Sequence, residues 1–142
     1  LNNRVGEKRI VGNKEKVSFP DQKREHIVAR IDSGAKSSSI HCDEIWEEDM
    51  RGKKVLCCHF LKRSKKVVRF ERFKRRKIRS SNGQIERRYI VEVKISLGDC
   101  EKLTQVSLTD RSTMNYSVLL GRRFLANDFL IDVSRSYVQN EL

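Results

Sequence analysis

The feature that most constrains this chain is residues 89–97, where Tyr89, Val91, Val93, Ile95 and Leu97 alternate with Ile90, Glu92, Lys94 and Ser96. A strict period of two places one set on a buried face and the other on an opposite face, which a strand does and a helix of 3.6 residues per turn does not. Asn82-Gly83 stands just ahead of this run. Both residue types tolerate positive φ, so the pair marks a hairpin turn. Residues 67–78 then read as the partner strand, with Val68, Phe70 and Ile78 sharing one parity. Gly98-Asp99 makes the next turn, and residues 103–108 continue as a strand.

The rest of the chain follows the same style. Residues 17–19 form a short strand ended by the single proline, Pro20. Residues 27–32 alternate, with Ile27, Ala29 and Ile31 on one face and Val28, Arg30 and Asp32 on the other. Residues 33–39 are small and polar, as a loop requires. Residues 40–46 and 54–60 are further strand candidates, and Trp46 is a core or interface anchor. The acids Glu44, Glu47, Glu48 and Asp49 read as an exposed turn. Residues 116–120 suit a buried strand, 121–127 one short helix, and 129–133 a last strand. Residues 1–9 look like a flexible arm, leaving 10–142 as one domain. The expected fold is all-β, closed or sandwich-like, with one short helix near the C-terminus.

Composition supports a small β domain. Of 142 residues, 37% are apolar and 35% charged, enough for one core. No apolar run reaches the length of a membrane span. Residues 1–15 lack the apolar centre of a secretory signal. The chain begins at Leu1, which leaves room for an upstream segment and leaves the compartment open between cytoplasm and periplasm. Cys42, Cys57, Cys58 and Cys100 form neither a disulfide framework nor a C-x-x-C pair, so reduced, partly buried thiols are expected. Cys57-Cys58-His59 with His41 and Cys42 raises a zinc site. However, adjacent strand residues point to opposite faces, so no metal is expected. The net charge of +12 is concentrated, because residues 62–79 hold eleven basic residues and one acid, Glu71. Such a ribbon is either a solvated hairpin or a surface for an acidic substrate, nucleic acid or another anionic partner.

The strand at 27–32 delivers the chain to Asp32-Ser33-Gly34-Ala35, a carboxylate followed by a hydroxyl, a glycine and a small residue. Far downstream comes Leu119-Leu120-Gly121-Arg122-Arg123. Strand, Asp-Ser-Gly-Ala, polar loop, hairpin, then apolar-apolar-Gly-Arg with a short helix is the order of elements in a retropepsin subunit. The chain resembles the retropepsin-like aspartic peptidases, and more closely a bacterial family labelled "ATP-dependent zinc protease". Ser38-Ser39-Ile40-His41, Arg79-Ser80-Ser81-Asn82-Gly83, Leu108-Thr109-Asp110-Arg111-Ser112 and Asp132-Val133-Ser134-Arg135-Ser136 also carry the resemblance. The label and the residues disagree: the chain has neither a phosphate-binding Gly-rich loop with Lys-Ser/Thr nor an H-E-x-x-H helix. The residues therefore take precedence, and no cofactor is expected.

The resemblance implies a closed retropepsin-like β-barrel and an aspartic-type endopeptidase. Asp32 would be the catalytic acid, with Ser33 and Gly34 completing its loop and Ala35 leaving room for substrate. Leu120, Gly121 and Arg122 would support the loop from below, and the tip at Ser80, Ser81, Asn82 and Gly83 would be a flap binding substrate backbone. One chain carries one such motif, so the second carboxylate would come from Asp32 of a second copy in a homodimer. Relatives are often encoded beside, or fused to, ATP-grasp ligases that add glutamates. This implies a link to such a ligase and an acidic, glutamate-rich peptide substrate. One departure stands out. The residue after Asp-x-Gly-Ala, commonly an acid that pairs with the Arg of the Gly-Arg motif, is Lys36 here. Arg122 must then use another carboxylate, such as Asp110, Asp128 or an acid of a partner subunit. Asp132 is expected to bind backbone or Arg135, and Asp110 to hold a turn; His26, His41 and His59 are expected to be structural. Two other readings remain: an inactive binding module of the same fold, and a nucleic-acid- or anion-binding domain using residues 62–79.

Overall fold

The computed structural model describes residues 2–79 and 82–140. The chain order is β1 (Arg4–Val5), β2 (Lys8–Val11), β3 (Lys14–Phe19), β4 (Arg24–Ile31), β5 (Ser38–Met50), β6 (Lys53–Phe60) and β7 (Val67–Phe70). Then follow β8 (Lys74–Arg79), β9 (Ile85–Leu97), β10 (Cys100–Thr109), β11 (Val118–Leu120), α1 (Arg122–Leu125) and β12 (Phe129–Ile131). A 3-10 turn, Pro20–Gln22, separates β3 from β4, because Pro20 cannot continue the strand's hydrogen bonding.

Six strands close on themselves. They run β10, β9, β3, β4, β11 and β5, and β5 returns to pair in parallel with β10. The closed all-β architecture and the short helix near the C-terminus follow the expectation. The alternation read in residues 89–97 holds: Val91, Val93, Ile95 and Leu97 are buried in the core with Val17, Ala29, Ile40, Val106, Leu108 and Val118. Burial of each such side chain contributes about 1.5–3 kcal/mol, so the inward row of the ring supplies much of the driving force.

Three readings need correction. Residues 67–78 are not one strand. The chain leaves β7, which pairs with β6, and re-enters as β8, which pairs with β9. The acids after residue 43 are not a turn, because β5 runs for 13 residues through Glu44, Glu47, Glu48 and Asp49. β5 shifts register between Cys42 and Ile45, leaves the ring there and pairs with β6 as far as Met50 and Lys53. The segment read as an arm contains β1 and β2, which pair with each other while β2 pairs in parallel with β12. Arg4 and Arg9 both bind Asp99 there.

The C-terminal turn is tied to the ring by one buried acid. Glu15 is 0% exposed and accepts hydrogen bonds from the backbone N–H groups of Gly12 (2.8 Å), Val138 (2.8 Å) and Gln139 (2.9 Å). All four cysteines are buried and free. The Cys42 thiol is pushed far up by its hydrogen bond to Cys58 and by burial, and burial raises Cys57 as well. Among the described residues, no helix is long and apolar enough to cross a membrane.

Candidate active site

β4 ends at Ile31 and hands the chain to Asp32, whose N–H donates to the carbonyl of Leu120 (2.9 Å). This contact arises because β11 is inserted between β4 and β5, parallel to the first and antiparallel to the second. The Asp32 carboxylate is half-buried, and its Oδ1 accepts the N–H of Gly34 (2.9 Å). The same residue's carbonyl accepts from Ala35 N–H (3.3 Å). This double contact makes a tight turn that presents Ser33 and Gly34 to solvent. It is the turn chemistry expected of an Asp followed by small residues.

The far side of the loop is clamped by the junction between β11 and α1. Arg122 N–H donates to Ala35 O (2.8 Å) and Arg123 N–H to Lys36 O (2.9 Å). Gly121 N–H donates to the hydroxyl of Ser38 (3.1 Å). A β-carbon on Gly121 would lie 2.7 Å from Ser37 O and 2.8 Å from Ala35 O. The junction is therefore closed to any side chain, and glycine is required by close approach of two backbones. Leu120 is fully buried beneath.

Arg122 departs from the expected carboxylate pairing. Its Nη1 donates to the carbonyl of Ser33 (2.9 Å), so the arginine braces the Asp32 loop directly. The proposed acids are otherwise engaged. Asp128 binds Lys102 (2.6 Å), and Asp110 accepts from Ser112 N–H (2.9 Å) in the turn expected for it. Asp132 accepts from Ser134 N–H (3.0 Å) and Oγ (2.6 Å), a local turn within reach of Arg135.

The β8 and β9 hairpin pairs Lys74 with Ile90 through Arg79 with Ile85. Of the four residues expected at its tip, Ser80 and Ser81 lie outside the described residues. Gly83 has φ +85°, and Asn82 Oδ1 accepts the N–H of Gln84 (3.2 Å), so the Asn-Gly turn forms. The hairpin is anchored to β5 through Glu47, which accepts from Arg75 Nε (2.8 Å) and from Tyr89 OH (2.9 Å). The Arg75 guanidinium, with Tyr89, holds the Glu47 carboxyl down at about 2.

Two groups of the matched motifs make contacts that the sequence did not specify: His41, expected to be structural, and Arg111. His41 is fully buried, with Nε2 2.6 Å from Asp43 and Nδ1 accepting Arg111 N–H (2.7 Å). This hydrogen bond fixes the backbone of Arg111. The Arg111 guanidinium donates from Nε to Tyr116 O (3.1 Å) and lies within Coulombic range of Asp32, Arg30 and Arg88. Only the match at residues 108–112 drew attention to this segment.

Among the described residues, no group of three or more His, Cys, Asp or Glu is placed to hold a metal ion. A cavity of about 770 Å³ lies between the segment 69–74 and the β9–β10 face at Leu103 and Gln105, and no residue of the Asp32 loop lines it.

The closed ring and its inserted strand define a retropepsin-like domain. The family model "Retropepsin-like aspartic endopeptidase RimB" matches residues 10–142, and the chain belongs to this RimB-like family. A solved structure, Lpg0085 of Legionella pneumophila, described as a DUF785 protein of unknown function, superimposes with a TM-score of 0.74 at 29% identity. The match covers 92% of this chain and 97% of that one. Among curated proteins, a probable alpha-L-glutamate ligase of Shewanella halifaxensis is 38% identical over 90% of this chain. One of Desulfotalea psychrophila is 33% identical over 88%. The chain spans only 29% and 28% of the length of these two relatives.

Proposed function

We propose that the domain is an aspartic endopeptidase in which Asp32 activates water together with Asp32 of a second copy. The observation that carries this is the clamped loop: Leu120, Gly121 and Arg122 each bind or crowd its backbone, so the Asp32 carboxylate is held on a rigid support. Peptide hydrolysis without a metal needs a water deprotonated and a carbonyl polarised. Two carboxyl groups held close together do both when they share one proton, as in aspartic peptidases generally. One chain supplies one such loop, so a two-fold homodimer completes the pair. In it Ser33 links the two loops, Gly34 and Ala35 leave space for substrate, and the β8–β9 hairpin covers the cleft, with Asn82 and Gly83 at its tip. The substrate is an acidic, glutamate-rich peptide or protein tail. The relatives' name, glutamate ligase, and the basic hairpin both support that class and a functional link to such a ligase.

Asp32→Asn tests the reading. Hydrolysis of a glutamate-rich peptide is lost, while the sedimentation mass stays that of a dimer and the far-UV circular dichroism is unchanged. Retained hydrolysis, or a wild-type mass of one chain during turnover, overturns it.

A further inference from the structure

We propose that the cavity between the segment 69–74 and the β9–β10 face binds an acidic peptide segment that carries an apolar residue. The site is separate from the hydrolytic reading, because no residue of the Asp32 loop lines it. Its volume of about 770 Å³ lies within the roughly 300–1,000 Å³ usual for ligand sites.

A strand switch makes the room. β7 pairs with β6 whereas β8 pairs with β9, so residues 71–73 cross from one to the other. The β8 ladder ends at Lys74 opposite Ile90, and β3 meets β9 at Ser96 opposite Ser18. Among the described residues, no strand pairs with β9 on that side between those two points. The crossing segment and this stretch of β9 line the cavity together, with β10 alongside.

The lining sorts by polarity. Ile90 and Val91 are buried and Phe70 and Phe73 half-buried, whereas Arg69, Arg72 and Lys74 are exposed. Leu103 of β10 is 63% exposed beside them. An apolar side chain placed against Leu103 and Phe70 takes that surface out of water. Carboxylates on either side of it then meet the exposed cations, in a segment, residues 62–79, with eleven basic residues and one acid. An acidic chain is the electrostatic complement of that surface. Glu71 and Glu92 also line the cavity, and they favour a peptide over a phosphate chain. A peptide can set an uncharged residue beside them and its carboxylates on the cations, whereas an oligonucleotide carries a charge at every unit. The Phe73 ring is already faced by the Arg75 guanidinium at 5.1 Å and lies 6.0 Å from the Tyr89 ring, which leaves little of it open to a stacking base.

Fluorescence anisotropy at low ionic strength with a labelled Glu-Glu-Leu-Phe-Glu-Glu peptide tests the site. Gln-Gln-Leu-Phe-Gln-Gln lacks the charge of this probe, and Glu-Glu-Ser-Ser-Glu-Glu lacks its apolar anchor. The probe is expected to bind at least about tenfold tighter than either. Leu103→Ser should lose about fivefold or more for the probe and little for Glu-Glu-Ser-Ser-Glu-Glu. Arg72→Gln and Lys74→Gln should each lose about two- to fivefold for the probe and little for Gln-Gln-Leu-Phe-Gln-Gln. These two variants keep the test valid if Leu103→Ser is misfolded by circular dichroism. Lys53→Gln, at the start of β6 and outside the lining, removes one charge as a control and keeps wild-type affinity. Asp32→Asn binds the probe as wild type does, so this site and the catalytic reading fail separately. Equal affinity for the three peptides, unchanged affinity in the folded cavity variants, or an equal loss in Lys53→Gln overturns the site. So does a single-stranded oligouridylate that binds tighter than the probe and weakens in Leu103→Ser.

Discussion

Replacing Gly121 by alanine tests whether the Asp32 loop is held by the contact described above. Gly121 has φ −101° and ψ −176°, an extended conformation open to any residue, so alanine suffers no backbone strain. The effect is therefore purely steric. The added β-carbon would sit 2.7 Å from Ser37 O and 2.8 Å from Ala35 O, against an ordinary contact of 3.4 Å, and the loop must retreat by about 0.6–0.7 Å. It cannot do so freely. Ala35 O and Lys36 O accept from Arg122 and Arg123, and Ser38 Oγ accepts from Gly121 itself. Overpacking costs about 1–3 kcal/mol, and weakening these bonds adds about 0.5–1.5 kcal/mol each, so a loss of about 2–4 kcal/mol is expected. Displacing Asp32 with the loop lowers turnover by on the order of tenfold or more. Urea unfolding followed by fluorescence of the single tryptophan, Trp46, reads the first quantity, and peptide hydrolysis the second. Gly34→Ala is the control: its β-carbon would meet only the Asp32 Oδ1 side-chain atom at 3.1 Å. That variant should keep its stability within about 1 kcal/mol while losing activity. If Gly121→Ala keeps both its unfolding midpoint and its turnover, the clamp is not what positions Asp32.

Three further outcomes follow from the same contacts. Arg122→Met removes the bond to Ser33 O and should cost only about 0.5–1.5 kcal/mol in urea unfolding but a larger fraction of turnover, seen in kcat rather than KM. Glu15→Ala leaves the N–H groups of Gly12, Val138 and Gln139 without their acceptor. At about 1–3 kcal/mol per orphaned buried donor, that domain should be unfolded or nearly so, and a fully folded variant by circular dichroism would contradict the assignment. Glu47 is held at about 2, chiefly by Arg75. A lowered carboxylate contributes stability in full above its unfolded value, and that contribution fades as pH falls through the folded value. The stability gap between wild type and Glu47→Gln should therefore be constant from neutral pH to about pH 5 and close between there and about 2. A gap that vanishes at neutral pH, or one that widens in acid, would show that Arg75 and Tyr89 do not hold the hairpin through Glu47.

How much of this could be read from sequence depends on where each residue finds its partner. The β9 alternation was legible because its cause is local: inward residues two apart face one core, and Val91, Val93, Ile95 and Leu97 fill it. The Asp32 turn was legible for the same reason, since Asp32 Oδ1 binds an N–H two residues on. Gly121 was legible as a support but not as a steric requirement, because the atoms that forbid a side chain belong to the loop more than 80 residues earlier. Arg122 was misread in a revealing way. Lys36 removed the expected acid, and the search then turned to other acids, whereas the partner is the Ser33 carbonyl. Every residue has a carbonyl, so such a partner leaves no mark in the sequence. Glu15 is the mirror case, an acid whose partners are backbone donors from the far end of the chain. The acids of β5 looked like a turn because charge was taken for exposure, yet pairing with β6 and capture of Glu47 by Arg75 and Tyr89 decide their place.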